Sequence, residues 1–219
     1  MKIGIFGTGT VGETLGSKLI ELGHSVMMGS RSPDNPKAIA FAENNKRNQA
    51  FAGTFSDAAY FGELIINCTK GEFSIDVIKS TGDRINGKIL IDIANPLDFS
   101  NGMPPSLIPS LSNSNSLGEE IQKKFPQIKV VKTLNTMWCG LMVNPMMINN
   151  GDHVNYICGN DEDSKKFVIS ILREFGWKKE NILDLGDISN SRGTEAVLPI
   201  WLRVWGATKN GAFNFKIVS

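Results

Sequence analysis

The chain has 219 residues, 23 of them Lys or Arg and 22 Asp or Glu, for a formal net charge of +1. That length suits one well-buried domain plus a small appendage, and the balanced charge argues against a nucleic-acid surface or an anionic membrane surface. Hydrophobic residues at 41% are ordinary for a soluble globular protein, and the three scattered cysteines, Cys68, Cys139 and Cys158, suggest neither a disulfide framework nor a metal site but a reducing cytoplasm.

The first predicted element is a β-rich run at residues 2–6. It follows Met1 directly, so no secretory signal is expected. Residues 11–22 come next as a helix, with Val11, Leu15, Leu19 and Leu22 on one face and Gly23 as its stop. A strand at 25–28 precedes a helix at 36–45, whose inner face is Ala38, Phe41 and Ala42. A short strand at 49–52 and a helical turn at 56–59 follow, then buried strands at 63–67 and 88–92 with a helix at 74–80 between them. Such alternation predicts an α/β fold: a doubly wound parallel sheet with helices on both faces.

Residues 98–116, rich in Ser, Asn and Pro, are expected to form a long loop, and loops of that length are usually functional or mobile. The alternation resumes with a helix at 117–125 and a strand at 128–134. Strands at 154–158 and 182–185 and helices at 161–175 and 192–206 complete the chain. Pro199 and Arg203 interrupt the apolar stretch at 196–205, which is far shorter than the ~20 residues of a membrane span. The expected division is a nucleotide-binding domain at 1–136 and a small C-terminal extension at 137–219 packed on the sheet.

Gly7-Thr8-Gly9-Thr10-Val11-Gly12 fits G-x-G-x-x-G, with a strand before it, an amphipathic helix after it and a second strand at the expected distance. Gly7 would permit the tight turn, Gly9 the approach of a pyrophosphate, and Gly12 close packing of helix on strand. The free amides of the helix start would then face the anion. An NAD site usually has an acidic residue at the end of the second strand, which an NADP site cannot keep beside the 2′-phosphate. This chain has Ser30, Arg31 and Ser32 there, with Lys37 beyond. Hydroxyl donors and a bidentate guanidinium suit a phosphate, so the expected cofactor is NADP.

Ligands of such sheets lie across the carboxyl ends of the strands. The fourth strand ends at Cys68, Thr69 and Lys70, the fifth at Asn95 and Pro96, and the sixth at Asn135, Thr136 and Trp138. Cys68, with no base nearby in sequence, reads as a small buried residue rather than a nucleophile. His24 and His153 lie at strand starts and read as structural. No set of residues suited to hydrolysis or metal binding emerges, so no catalytic side chain and no metal are expected. Hydride transfer between ring cofactors needs placement more than acid–base chemistry.

Four groups of residues together resemble the deazaflavin-dependent NADP reductases, whose nucleotide domain is similar to that of the STEAP metalloreductases. They are Gly7 to Gly12 with Leu22-Gly23-His24 and Gly29-Ser30-Arg31; the run Val130-Val131-Lys132-Thr133-Leu134-Asn135-Thr136; Ile157-Cys158-Gly159-Asn160-Asp161 with Ser164-Lys165-Lys166; and Leu185-Gly186 with Ser189-Asn190-Ser191-Arg192 and residues 195–202. The resemblance implies a Rossmann NADP-binding fold with a small C-terminal extension, often a homodimer. It implies NADP held by the glycine turn, Ser30 and Arg31, with a redox acceptor near Asn95, Pro96, Asn135 and Thr136. The chain departs from that family's pattern at Asn135, where a histidine is expected, at Lys70, where a proline is expected, and in the 98–116 loop. The acceptor is therefore open among a deazaflavin, a flavin, a ferric chelate, a quinone and a small carbonyl compound. The alternative is an NADPH-binding redox sensor without turnover, which a Trp138 or Met103 side chain filling the nicotinamide face would favour.

Overall fold

The computed structural model describes residues 1–45 and 49–218. The N-terminal half alternates strand and helix: β1 (Lys2–Phe6), α1 (Thr10–Glu21), β2 (Ser25–Ser30), α2 (Pro36–Asn44), β3 (Ala50–Thr54), α3 (Phe55–Phe61), β4 (Leu64–Asn67), α4 (Gly71–Ser80) and β5 (Ile89–Asp92). After the two-residue strands β6 (Leu97–Asp98) and β7 (Ser106–Leu107) come α5 (Leu117–Lys124), β8 (Lys129–Thr133), α6 (Cys139–Val143), β9 (Asn155–Gly159), α7 (Glu162–Glu174), β10 (Ile182–Asp184) and α8 (Ser191–Thr208). Eight strands form one sheet in the order β10-β9-β8-β5-β4-β1-β2-β3. From β3 to β8 this is the doubly wound order, whose reversal between β1 and β4 is where ligands bind.

Each strand serves two cores because successive side chains point to opposite faces. Ile3 and Ile5 of β1 pack with Leu15, Leu19 and Phe41 on one face of the sheet. Phe6 packs with Phe55, Ala58, Val77 and Ile78 on the other. Side-chain hydrogen bonds start several of the helices. Asn35 caps α2, Ser116 caps α5, Asp161 caps α7, and Thr54 forms a capping box with Asp57 at α3. Gly23, at φ +87°, follows α1 in the left-handed conformation that glycine adopts without steric cost.

The sheet is parallel except where β9 runs antiparallel to β8, with Val131 opposite Gly159. The physical cause is the connection. A parallel return needs a crossover of a dozen or more residues, usually a helix. Residues 134–154 supply only the five-residue α6 and two short 3₁₀ turns. The chain therefore stays at the edge where β8 ends, and β9 starts there. The regular helix α7 then restores a parallel crossover, pairing β10 with β9.

The 98–116 stretch carries more order than a plain loop. β6 and β7 pair antiparallel, with Leu97 opposite Leu107, and Ile108 N–H donates to the Pro96 carbonyl at 2.8 Å. No described helix is long and apolar enough to cross a membrane.

The start of α4 lies hard against the turn after β5. A Cβ placed on Gly71 would run into the Asn95 carbonyl and stand 2.8 Å from Pro96 Cα. All three nearest atoms are backbone of one turn, so no flexible side chain is there to yield. Gly71→Ala is expected to destabilise the fold by about 1–3 kcal/mol, as overpacking does, read as a lower urea midpoint at unchanged slope.

Candidate functional site

The glycine turn joins β1 to α1. Gly7 sits at φ +109°, and a Cβ there would lie 2.8 Å from the Cys68 carbonyl. A Cβ on Gly12 would collide with the Gly7 carbonyl, whereas one on Gly9 would meet nothing within 4 Å. Gly7 and Gly12 are thus required by the protein's own packing. The space beside Gly9 is open. No side chain caps the first turn of α1, so its leading amides face that space unpartnered by a capping group.

A cleft of about 680 Å³ opens beside this turn. It brings together Gly7, Thr8 and Gly9 with Ser30, Arg31 and Lys37 from beyond β2, and with Cys68, Thr69 and Lys70 from beyond β4. Thr10, Val11 and Gly12 form the opening of α1 beside it. Arg31 and Lys37 make no ion pair among the described residues, so two cations stand ready at one end. Ser30 and Ser32 shape the loop: the Ser30 hydroxyl donates to the Ser32 carbonyl at 2.5 Å, and the Ser32 hydroxyl accepts from Asp34 N–H at 3.3 Å. Lys70 lies 5.8 Å from the Phe99 ring centroid, which ties the cleft rim to the 98–116 stretch.

Sequence reasoning missed several cleft residues. Phe73, Asp76, Val77 and Ser80 line one wall, and Asn35 and Phe55 contribute elsewhere. The spacing of the four wall residues is a helical face, so placing the start of α4 correctly would have exposed it. Asn35 carried a signal too, as an N-cap before Pro36.

Asn95, Pro96, Asn135 and Thr136 form a second group, at the ends of β5 and β8. The two asparagines bond reciprocally: Asn95 Nδ2 donates to the Asn135 carbonyl at 2.8 Å, and Asn135 Nδ2 donates to Asn95 Oδ1 at 2.9 Å. Asn135 Oδ1 and Thr136 Oγ1 are buried and have no hydrogen-bond partner among the described residues. Leaving such atoms unpaired costs about 1–3 kcal/mol each. Leu134, just before them, is held at φ +61°.

Beneath this group lies a buried charge cluster. Lys132 Nζ is 2.8 Å from both Asp92 Oδ2 and Glu195 Oε1, and all three side chains are buried. Burial works against the Lys132 ammonium, but Asp92 and Glu195 outweigh it and hold its pKa above the ordinary lysine value. Burial pushes the Glu195 carboxyl up, against the pull of Lys132 and the Leu117 amide. Asp92 adds to the rise at Glu195, and both carboxylates add to that at Lys132.

Beyond Thr136 an aromatic pocket of about 540 Å³ is lined by Trp138, Trp201, Leu202, Trp205 and residues 210–212. Trp201 stacks on Phe213, with centroids 5.2 Å apart and planes 11° from parallel. The buried Trp201 Nε1 has no hydrogen-bond partner among the described residues. Trp138 faces this pocket, and Met103 is 61% exposed, so neither side chain is buried as a plug.

Burial raises the Cys68 thiol, with Asp92 and Cys139 adding to it, and pushes Cys158 up to about 12. Neither is a thiolate nucleophile near neutral pH. His24 bonds Glu174 at 2.8 Å, and His153 is buried against the Pro145 carbonyl. No metal-binding cluster exists among the described residues.

A doubly wound sheet, a glycine turn at its switch point and two unpaired cations beyond β2 define a dinucleotide-binding protein. The comparisons carry this to a family. Residues 2–96 match the family model of the coenzyme F420-dependent NADP oxidoreductases. A putative F420-dependent NADP reductase from Arthrobacter sp. FB24 is 44% identical, covers 100% of both chains and superposes with a TM-score of 0.92. The F420-dependent NADP reductase of Methanocaldococcus jannaschii is 28% identical over 91% of this chain and 90% of its own. Rat metalloreductase STEAP3 is 29% identical over 91% of this chain, which spans only 38% of the rat protein. The chain belongs to the coenzyme F420-dependent NADP oxidoreductase family, and is thereby an NADP-dependent oxidoreductase.

The open space beside Gly9 generates a direct test. Gly9→Val is expected to abolish NADPH binding by titration calorimetry while thermal melting stays cooperative, because a Cβ there meets no protein atom within 4 Å. Retained affinity would remove the turn from the binding site.

Proposed function

We propose that the chain transfers a hydride between NADP(H) and a planar redox acceptor, a deazaflavin or flavin before the other classes. The observation that carries this reading is the pair of buried, unpartnered oxygens at Asn135 and Thr136, which follow β8 at the same carboxyl edge of the sheet as the glycine turn after β1. They suit the amide and hydroxyl groups at the nicotinamide end of a dinucleotide. The residues present therefore fit NADP at both ends of the site.

In this reading the amides of residues 10–12 hold the pyrophosphate at the start of α1. Arg31 and Lys37 bind the 2′-phosphate, and Ser30 and Ser32 fix the loop that presents them. Cys68, Thr69 and Lys70 form the wall opposite the glycine turn. Asn95, Pro96, Asn135 and Thr136 orient the nicotinamide end. When bound, the nicotinamide supplies the hydride. The chain's part is to set one face of that ring against the acceptor and to exclude water. The titratable side chains beneath the site, Lys132, Asp92 and Glu195, are paired with one another. No proton relay is needed for hydride exchange between two rings.

Residues 137–219 serve the acceptor end. Trp138 offers ring surface to a planar acceptor, in a pocket whose far wall is Trp201, itself stacked on Phe213 and Trp205. The exposed Ile200 and Trp205 in the second half of α8 suit pairing with a second copy, giving a homodimer.

Arg31→Glu is expected to weaken NADPH binding by roughly tenfold to a hundredfold and NADH binding far less, since a hydrogen bond to a charged group contributes about 1.5–3 kcal/mol. Equal losses for both would place Arg31 away from the 2′-phosphate. The central test follows NADPH oxidation by absorbance against deazaflavin, flavins, ferric chelates, quinones and small carbonyls, with NADH alongside. Turnover with a planar acceptor, favouring NADPH, is expected. Tight NADPH binding with no turnover across the panel would overturn hydride transfer in favour of the sensor reading.

A further inference from the structure

Lys132 has no exposed surface, and the proposed reaction does not use it. Its ammonium carries three protons, and the structure gives each an acceptor. Two go to Asp92 Oδ2 and Glu195 Oε1, both at 2.8 Å. The third goes to the backbone carbonyl of Ala94 at 2.5 Å. Burying such a cluster is a weak source of stability, since apolar residues of similar volume commonly do as well. What it does provide is a fixed point with defined directions.

The Ala94 carbonyl belongs to the peptide that leads into Asn95. Asp92 holds the same peptide turn from below: its Oδ1 accepts from Ala94 N–H at 3.3 Å and from Asn67 Nδ2 at 2.8 Å. Asn95 in turn pairs with Asn135, whose free oxygen is one of the two unpartnered atoms at the nicotinamide end. On the far side, Glu195 of α8 accepts from Leu117 N–H at 2.9 Å and Gly118 N–H at 3.1 Å, at the start of α5. One chain of hydrogen bonds thus runs from the end of β4 through Asp92, Lys132 and Glu195 to α5 and α8.

We propose that Lys132 is a positioning residue for the nicotinamide end of the cofactor, acting through the turn at Ala94 and Asn95, and that Glu195 couples this turn to α8 and the start of α5. The proposal rests on the reading that NADP lies along the strand ends. Lys132 touches neither cofactor nor acceptor. It sets the peptide that sets Asn95, and Asn95 sets Asn135. Because α8 also lines the aromatic pocket, a shift of Glu195 links the two halves of the site.

The test separates the two ends of the cofactor. NADPH and 2′,5′-ADP, which lacks the nicotinamide, are titrated into the wild-type protein, Lys132→Met and the near-isosteric Glu195→Gln. Affinity for NADPH is expected to fall about tenfold in Lys132→Met, and less in Glu195→Gln, with 2′,5′-ADP affinity held within about twofold. The emission of bound NADPH should also lose anisotropy, as a loosened nicotinamide requires. Equal losses for both ligands would show a merely structural lysine and overturn the proposal.

A second measurement needs no variant. In the wild-type protein, NADPH should slow hydrogen exchange at the Leu117 and Gly118 amides more than 2′,5′-ADP does. Equal protection by the two would overturn the coupling through Glu195. Should neither ligand bind the wild type, the cofactor reading itself falls, and this inference with it. Binding of both without any difference between them overturns the positioning role alone.

Discussion

The first turn of α1 has no room for a side chain at Gly12, because the Gly7 carbonyl occupies the place where a Cβ would stand. That contact sets how close helix and strand approach, and much of the molecule follows from it. With α1 drawn onto the end of β1, its leading amides point along the carboxyl edge of the sheet. Leu15 and Leu19 then reach Ile3 and Ile5 to build one core. A similar close approach recurs at Gly71, where α4 meets the turn after β5. Two helix starts, each seated without a Cβ, frame the same cleft.

The parts of this design that were legible in the sequence are local ones. β1 falls at residues 2–6 as the apolar run indicates, and Gly23 ends α1 as a left-handed glycine should. The cations beyond β2 reach the cleft because loop position in a doubly wound sheet is fixed by topology. α4 was harder. It begins at Gly71, three residues before the periodic pattern, and no side-chain cap announces its start at Lys70. α6, at five residues, is too short to carry any period. The reversal of β9 depends on what residues 134–154 fail to supply, which no window of sequence displays.

The buried charges show the same limit from the other side. Lys132, Asp92 and Glu195 each read as ordinary polar residues in a charged chain. They meet because β5, β8 and α8 converge, and convergence is a tertiary fact. The aromatic pocket behaves likewise. Trp138 is distant in sequence from Trp201, Trp205 and residues 210–212, and they line one pocket where the C-terminal segment returns toward the start of β9, with Val154 N–H donating to the Phe215 carbonyl. Family resemblance carried the expectation that an acceptor sits near Asn135. The aromatic pocket lined by Trp138, Trp201 and Trp205 lay outside that expectation.

The antiparallel step between β8 and β9 has a consequence for how such a frame can change. A helical crossover must match the length of the sheet it spans, so its length is tied to the fold. The connection at residues 134–154 has no such span to match: it leaves and re-enters the sheet at one edge. Burial holds it instead, with Met137, Leu141, Met142 and Val143 packed into the same core as Leu15 and Leu19 of α1. Its length is therefore limited by packing rather than by the width of the sheet.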